Sequence, residues 1–124
     1  MRIMIAGDLC PTTQTAPYYI NGDVEALFSD VTDLFRTADR VIVNLECALT
    51  TADTPIKKFG PNLKAAPECA KVLKEIGVTD CSLSNNHIFD FGIKGLQDTI
   101  KHLDENGILW TGVGENDTDS RRPH

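Results

Sequence analysis

Apolar runs in this chain end on residues able to hold a metal or move a proton. Ile3–Ala6 leads to Asp8. Arg40–Leu45 contains Asn44 and leads to Glu46, and Cys81–Ser84 is followed by Asn85, Asn86, His87 and then Asp90. A fourth run, Ile108–Val113, closes among Gly112, Gly114 and Asn116. Two carboxylates, amide oxygens and one imidazole suit a hard or borderline divalent cation such as manganese, iron or zinc.

Taken singly, each residue has a plainer role. Asp8 can cap a turn, and Asn44 and Glu46 can be solvated loop residues. Asn85-Asn86 can form a tight turn, since Asn tolerates left-handed backbone. His87 alone reads as a structural hydrogen-bonding histidine, and Asp90 is expected to be the N-cap of the helix that follows it. Their coincidence at one edge is what the plainer roles do not predict. Gly112-Val113-Gly114 is not a dinucleotide fingerprint, because the third glycine is missing, no helical pattern follows and the motif comes last. It is read as close backbone packing beside the site.

The elements that must position these residues alternate. Ile3–Ala6 reads as a buried strand ending in a turn at Gly7-Asp8, and a loop with Pro11 and Pro17 follows. From Asp23, an N-cap, to about Ala38 the apolar residues Val24, Leu27, Phe28, Val31, Leu34 and Phe35 keep helical spacing. Arg40–Leu45 is apolar on both faces, as a strand covered by helices on each side is. A loop of about twenty residues from Cys47 to Ala66 is long enough to imply a function. Pro67 opens a helix that Gly77 closes, with Val78 completing a Schellman cap. After Cys81–Ser84 a third helix carries Ile93, Leu96, Ile100 and Leu103, and Gly107-Ile108 repeats the closing device. The order β-α-β-loop-α-β-α-β implies an α/β fold with a mostly parallel sheet, in which ligands sit beyond the carboxyl ends of the strands.

The bulk numbers agree with one globular domain over residues 1–124. The chain is 41% hydrophobic and 24% charged, with a net charge of −6 and a pI near 4.9. That balance argues against nucleic acid or an anionic membrane as the partner. Cys10, Cys47, Cys69 and Cys81 form no CxxC pair and no zinc spacing, so free thiols in a reducing compartment are expected. No apolar run is long enough for a signal peptide or a membrane span. A cytoplasmic location is the resulting expectation.

The segments GDL (7–9), VNLE (43–46), SNNHIFDFG (84–92), GLQDT (95–99) and GVGEN (112–116) come in an order that resembles the CapA-type capsule or poly-γ-glutamate synthesis family. That family is a branch of the calcineurin-like metallophosphatase superfamily, and NNH-x-x-D-x-G is the most specific element of the match. The resemblance implies the amino-terminal half of an α/β/β/α sandwich with a dinuclear metal site of manganese, iron or zinc. Asp8 then stands as the first metal ligand. Glu46, with Asn44 nearby, takes the place of the bridging aspartate, and Asn86 stands as the amide ligand. His87 protonates the leaving group or steadies phosphoryl oxygens. Asn85 and the loop lysines Lys57 and Lys58 are left to substrate binding, with Lys64 near them. An ordinary solvated loop face also explains these lysines.

The chain departs from the pattern at three positions. Cys10 stands where the phosphatases have histidine, Glu46 is a displaced glutamate, and Ile88 replaces the acidic residue after Asn-His. The superfamily's remaining ligands are histidines from the second half of the domain. His102, on the third helix, and His124, at the terminus, are no substitutes. The chain is therefore expected to be an incomplete amino-terminal portion, with an exposed sheet face or edge that favours oligomers. Two functions follow from the resemblance. One is metal-dependent hydrolysis of phosphate esters when the protein is intact. The other is a non-catalytic accessory subunit that binds an anionic polymer during capsule synthesis. A nucleotide-binding module, resting on the glycine pair alone, ranks below both.

Overall fold

The four apolar runs do become strands, and they share one sheet. In the computed structural model, which describes residues 1–123, the elements follow in chain order. They are β1 (Ile3–Leu9), α1 (Ala16–Asn21), α2 (Val24–Phe28), α3 (Val31–Arg36), β2 (Arg40–Leu45), β3 (Ala48–Leu49), β4 (Lys64–Ala65), α4 (Cys69–Ile76), β5 (Asp80–Ser82), α5 (Gly92–Glu105), β6 (Leu109–Thr111) and α6 (Asp117–Ser120). The sheet order is β1-β2-β5-β6, and every pairing in it is parallel. His124 lies outside the described residues.

Among the described residues only one face of this sheet is covered, which corrects the expectation for Arg40–Leu45. Along β2, Val41, Val43 and Leu45 are buried while Arg40, Ile42 and Asn44 are half-buried, the alternation of a strand with one wet face. The covered face meets α4, whose Ala70, Val72, Leu73 and Ile76 join Val78, Leu83, Leu103 and Ile108 in one core. Each fully buried Leu or Ile there contributes about 1.5–3 kcal/mol. On the other face Ile3 and Ile5 of β1 are 52% and 79% exposed and Leu109 of β6 is 44% exposed. The four-stranded sheet and the helices on its covered face thus form one β layer and one α layer.

Local chemistry sets the helix ends. Gly77 takes φ 102°, and the Val78 N–H reaches the Leu73 carbonyl at 3.0 Å, closing α4 as a Schellman cap. Ile108 does the same to Leu103 at 3.0 Å, with Gly107 at φ 63°. Asp23 caps α2 by accepting from the Ala26 N–H at 3.1 Å. The single helix expected over 23–38 is broken at Ser29, which adopts φ 44°. Ser29 and Asp30 both favour bonds to local backbone over helix continuation. The stretch with Pro17 is a helix rather than a loop, with Pro in its first turn as the missing N–H allows. Its Tyr19 is buried and meets Phe28 edge-on at 6.0 Å.

The long loop also has structure. β3 and β4 form a separate parallel ladder, Ala48 with Lys64 and Leu49 with Ala65. Thr99 of α5 staples it, donating its hydroxyl to the Gly95 carbonyl at 2.7 Å and accepting from the Leu49 N–H at 2.9 Å. Gly95 makes that approach possible, because a Cβ there would stand 3.5 Å from Ala48 Cβ and 2.8 Å from Phe91 Cβ.

Candidate functional site

Asp8 reaches the site through a β-bulge. Ile5 pairs with Ile42 and Asp8 pairs with Asn44, so β1 spends one residue more than β2 over this stretch. The extra residue turns Asp8 onto the same face as Asn44. Asn44 Nδ2 donates to Asp8 Oδ1 at 2.7 Å. Asn85 Nδ2 in turn donates to Asn44 Oδ1 at 3.1 Å and to the Leu45 carbonyl at 2.9 Å. Asn85 Oδ1 accepts from the His87 backbone N–H at 3.0 Å. A continuous chain, Asp8–Asn44–Asn85–His87, therefore links the ends of three strands.

The other side of His87 is built from a residue to which the sequence reading gave a different job. Asp90 is not the N-cap of α5. Phe91 occupies that position without a side-chain bond, and Asp90 is fully buried. Its Oδ2 lies 2.7 Å from His87 Nδ1 and accepts the Leu63 N–H at 2.7 Å. Its Oδ1 accepts from Lys58 Nζ, and its carbonyl accepts from Ile56 N at 2.9 Å and Asn62 Nδ2 at 3.1 Å. Asp90 thus gathers the 56–63 loop onto the histidine, which a helix cap would not do. Burial pushes its carboxyl up. The bonds from Lys58, His87 and Leu63 outweigh burial and hold it below the usual carboxylate range.

Lys58 Nζ also sits 3.2 Å from His87 Nδ1 and 3.4 Å from the Asn86 carbonyl. Lysine only donates and an ionised carboxylate only accepts. The shorter approach, to Asp90, makes Nδ1 the protonated nitrogen, so proton exchange with a substrate falls to Nε2. Lys58 is spent inside this network, with its side chain 19% exposed. Lys57 is exposed. Lys64 pairs with Asp53 at 2.6 Å and lies 4.9 Å from the Phe91 ring centroid.

Cys10 and Glu46 complete the neighbourhood. The Cys10 thiol is lowered to about 7, chiefly by a hydrogen bond from Cys47; burial and the Glu46 charge oppose this, and His87 adds to it. Glu46 is half-buried and its N–H holds the Leu9 carbonyl at 3.0 Å. Asn86 is exposed. Among the described residues, no group of three or more His, Cys, Asp or Glu side chains is arranged to hold a metal ion. Asn44 and Asn85 spend amide groups on one another. The residues present do not make a complete cage for a dinuclear centre.

Of the glycine pair, Gly112 packs beside the site as expected, whereas Gly114 packs against Asp119 and Ser120 of α6. Gly112, at φ 93°, lies against Ser84, where a Cβ would stand 2.7 Å from Ser84 Cβ. Asn116 caps α6 by accepting from Asp119 N at 3.0 Å and takes no part in the cluster. His102 lies on α5, 3.3 Å from Glu105. A cavity of about 790 Å³ lies between α5 and β6, lined by Phe89, Ile93, Ile100 and Trp110 among others. None of the cluster residues lines it.

Comparison with known proteins supplies the relationship. The chain belongs to the bacterial capsule synthesis protein PGA_cap family, whose model matches residues 2–124. It is 37% identical over 93 residues to the capsule biosynthesis protein CapA of Bacillus anthracis, covering 73% of this chain and 23% of that protein. It is 29% identical over 104 residues to the PGA biosynthesis protein CapA of Bacillus subtilis, covering 79% and 26%. A probable polyglutamine synthesis accessory protein of Mycobacterium tuberculosis is 32% identical over 84 residues, covering 68% and 22%. The chain spans about a quarter or less of the length of these relatives. No described helix is long and apolar enough to cross a membrane.

Proposed function

We propose that this chain carries the acid–base half of a phosphoester-hydrolysing site that serves capsular polyanion synthesis. The observation that supports this most is the His87–Asp90 pair, 2.7 Å apart with the carboxylate fully buried. In its protonated form His87 would donate from Nε2 to a leaving oxygen. Asp90 would hold the ring in one orientation and stabilise the imidazolium, as a buried carboxylate beside a catalytic imidazole does. Such proton transfer is worth about 10²–10⁴-fold in rate.

A bound divalent cation would supply charge neutralisation and a nucleophilic hydroxide. Asp8, Glu46 and Asn86 are the side chains that would contribute to holding it. No step here passes through it, because the described residues do not close a cage. Lys57, exposed on the loop, would attract an anionic substrate.

The test is manganese-dependent turnover of a generic phosphodiester by the full-length native protein. His87→Ala is expected to lower kcat by about 10²–10⁴-fold; unchanged turnover refutes the assignment. Cys10, standing where the phosphatases have histidine, also favours a second reading, a non-catalytic subunit that binds an anionic polymer. Metal analysis separates the two: two equivalents bound support the enzyme, and none supports the accessory role.

A further inference from the structure

We propose that Asn85 is a positioning residue, which fastens the main chain of His87 to the end of β2 and meets no substrate itself. The inference rests on the acid role proposed above for His87. β5 ends at Ser82, opposite Asn44, and the chain turns soon after, with the Asn85 N–H on the Leu83 carbonyl at 3.0 Å. The place of the histidine therefore depends on bonds made outside the ladder. Asn85 supplies them. Its Oδ1 accepts the His87 backbone N–H at 3.0 Å, and its Nδ2 donates to the Leu45 carbonyl at 2.9 Å and to Asn44 Oδ1 at 3.1 Å. Leu45 and Asn44 lie 40 and 41 residues upstream, so one side chain ties the turn after β5 to β2.

The backbone leaves this amide one orientation. A peptide N–H only donates and a carbonyl only accepts, so the oxygen faces His87 and the NH₂ faces Leu45. Both amide hydrogens are then spent. Asn44 in turn must present its oxygen to Asn85 and its NH₂ to Asp8, 2.7 Å away. No hydrogen of the Asn85 amide is left for a substrate. Asn86, the next residue, is exposed where Asn85 is half-buried, so two neighbours of one type take different places. Asn85 and Asp90 also hold different parts of the histidine. Asp90 Oδ2, 2.7 Å from Nδ1, sets the ring, and Asn85 sets the main chain that carries it. A general acid works only within hydrogen-bond reach of the oxygen it protonates. A misplacement of about 1 Å can cost about 10²-fold in rate. Loss of Asn85 therefore acts through His87, lowering kcat and leaving KM where it was.

Two measurements test this: kinetics of the full-length native protein with manganese and a generic phosphodiester, and amide exchange of the metal-free folded protein by NMR. Asn85→Ala is expected to lower kcat by about 10²-fold with KM unchanged and native circular dichroism at the assay temperature. In a His87→Ala background the same substitution should cost nothing further, because residues acting as one unit are not additive. The His87 N–H should be protected from exchange in the wild type and exchange faster in Asn85→Ala. Should that variant not fold, Asn85→Gln decides by the same cycle. It keeps the amide that a substrate contact would need, but its extra methylene displaces His87, so kcat should again fall at constant KM. A raised KM with kcat unchanged overturns the proposal. So does a full additive loss in the His87→Ala background, or a freely exchanging His87 N–H in the wild type. Turnover that His87→Ala alone leaves unchanged is a separate failure: it refutes the acid role, and this proposal with it, before Asn85 is altered.

Discussion

Asp90→Asn removes one charge and almost no volume from a fully buried position, so its effect isolates the network around His87. The carboxylate accepts from Lys58, His87 and the Leu63 N–H. An asparagine offers one acceptor oxygen, and its NH₂ must face one of those donors. Charge-assisted bonds are worth about 1.5–3 kcal/mol each. Breaking a buried ion pair from one side costs about 3–5 kcal/mol. Here the figure belongs at the low end, about 3 kcal/mol, because the Lys58 side chain is 19% exposed and can turn to water. The bonds to the Asp90 carbonyl survive the change. At this chain length that corresponds to a drop in Tm of roughly 8–15 °C. Urea unfolding followed by circular dichroism measures it. Lys58→Met and the double variant complete a cycle, whose coupling should exceed about 1 kcal/mol. A loss below about 1 kcal/mol in Asp90→Asn, or strict additivity in the cycle, would refute the claim that Asp90 organises this corner.

The other predictions concern pH, glycines and the open face. Because the folded Asp90 carboxyl lies below its ordinary value, its contribution is fully present above the unfolded carboxylate pKa of about 3.9 and is lost as pH falls through the lower folded value. Acid titration of stability should therefore be shallower in Asp90→Asn than in the wild type below about pH 4; parallel curves would contradict this. Gly112→Ala meets Ser84 Cβ at 2.7 Å in a backbone of φ 93°, so a loss of about 1–3 kcal/mol is expected in thermal melts. Gly95→Ala meets Phe91 Cβ at 2.8 Å and should loosen the β3 staple, read as faster amide exchange at Leu49. Ile5→Lys, at a position 79% exposed, should change stability by less than about 0.5 kcal/mol while reducing self-association in sedimentation.

What the sequence revealed follows from the range of the forces involved. The strands and the closures at Gly77 and Gly107 were legible because period, apolar runs and caps are local properties. The extra residue in β1 was not, since a two-residue period carries no mark for a bulge, and Asp8 therefore read as the start of a turn. Asp90 was misread for a related reason. An acidic residue before a helical repeat has the signature of a cap. Its actual partner, Lys58, lies 32 residues upstream in the sequence on a loop with no period of its own. The i, i+3 spacing of His87 and Asp90 was the one available signal. The one-sided sheet was hidden because Ile3, Ile5 and Ile42 are as apolar as any covered residue.

The register joins these two surprises. Asp8, Asn44, Ser82 and Thr111 are cross-strand partners in one row, and Ile5, Ile42, Asp80 and Leu109 form the row below them. Partners in a parallel ladder point to the same face, so the polar row with Asp8 lies on the face that the helices leave uncovered. The Asp8–Asn44 bond is accordingly exposed, whereas Asp90 is fully buried. One side of the site is therefore finished by this chain's own loop. The other side is open beside Ile3, Ile5 and Leu109, where water weakens the worth of each charge. A surface laid over Ile5, Ile42 and Leu109 would also dry the Asp8 carboxylate in the row above them.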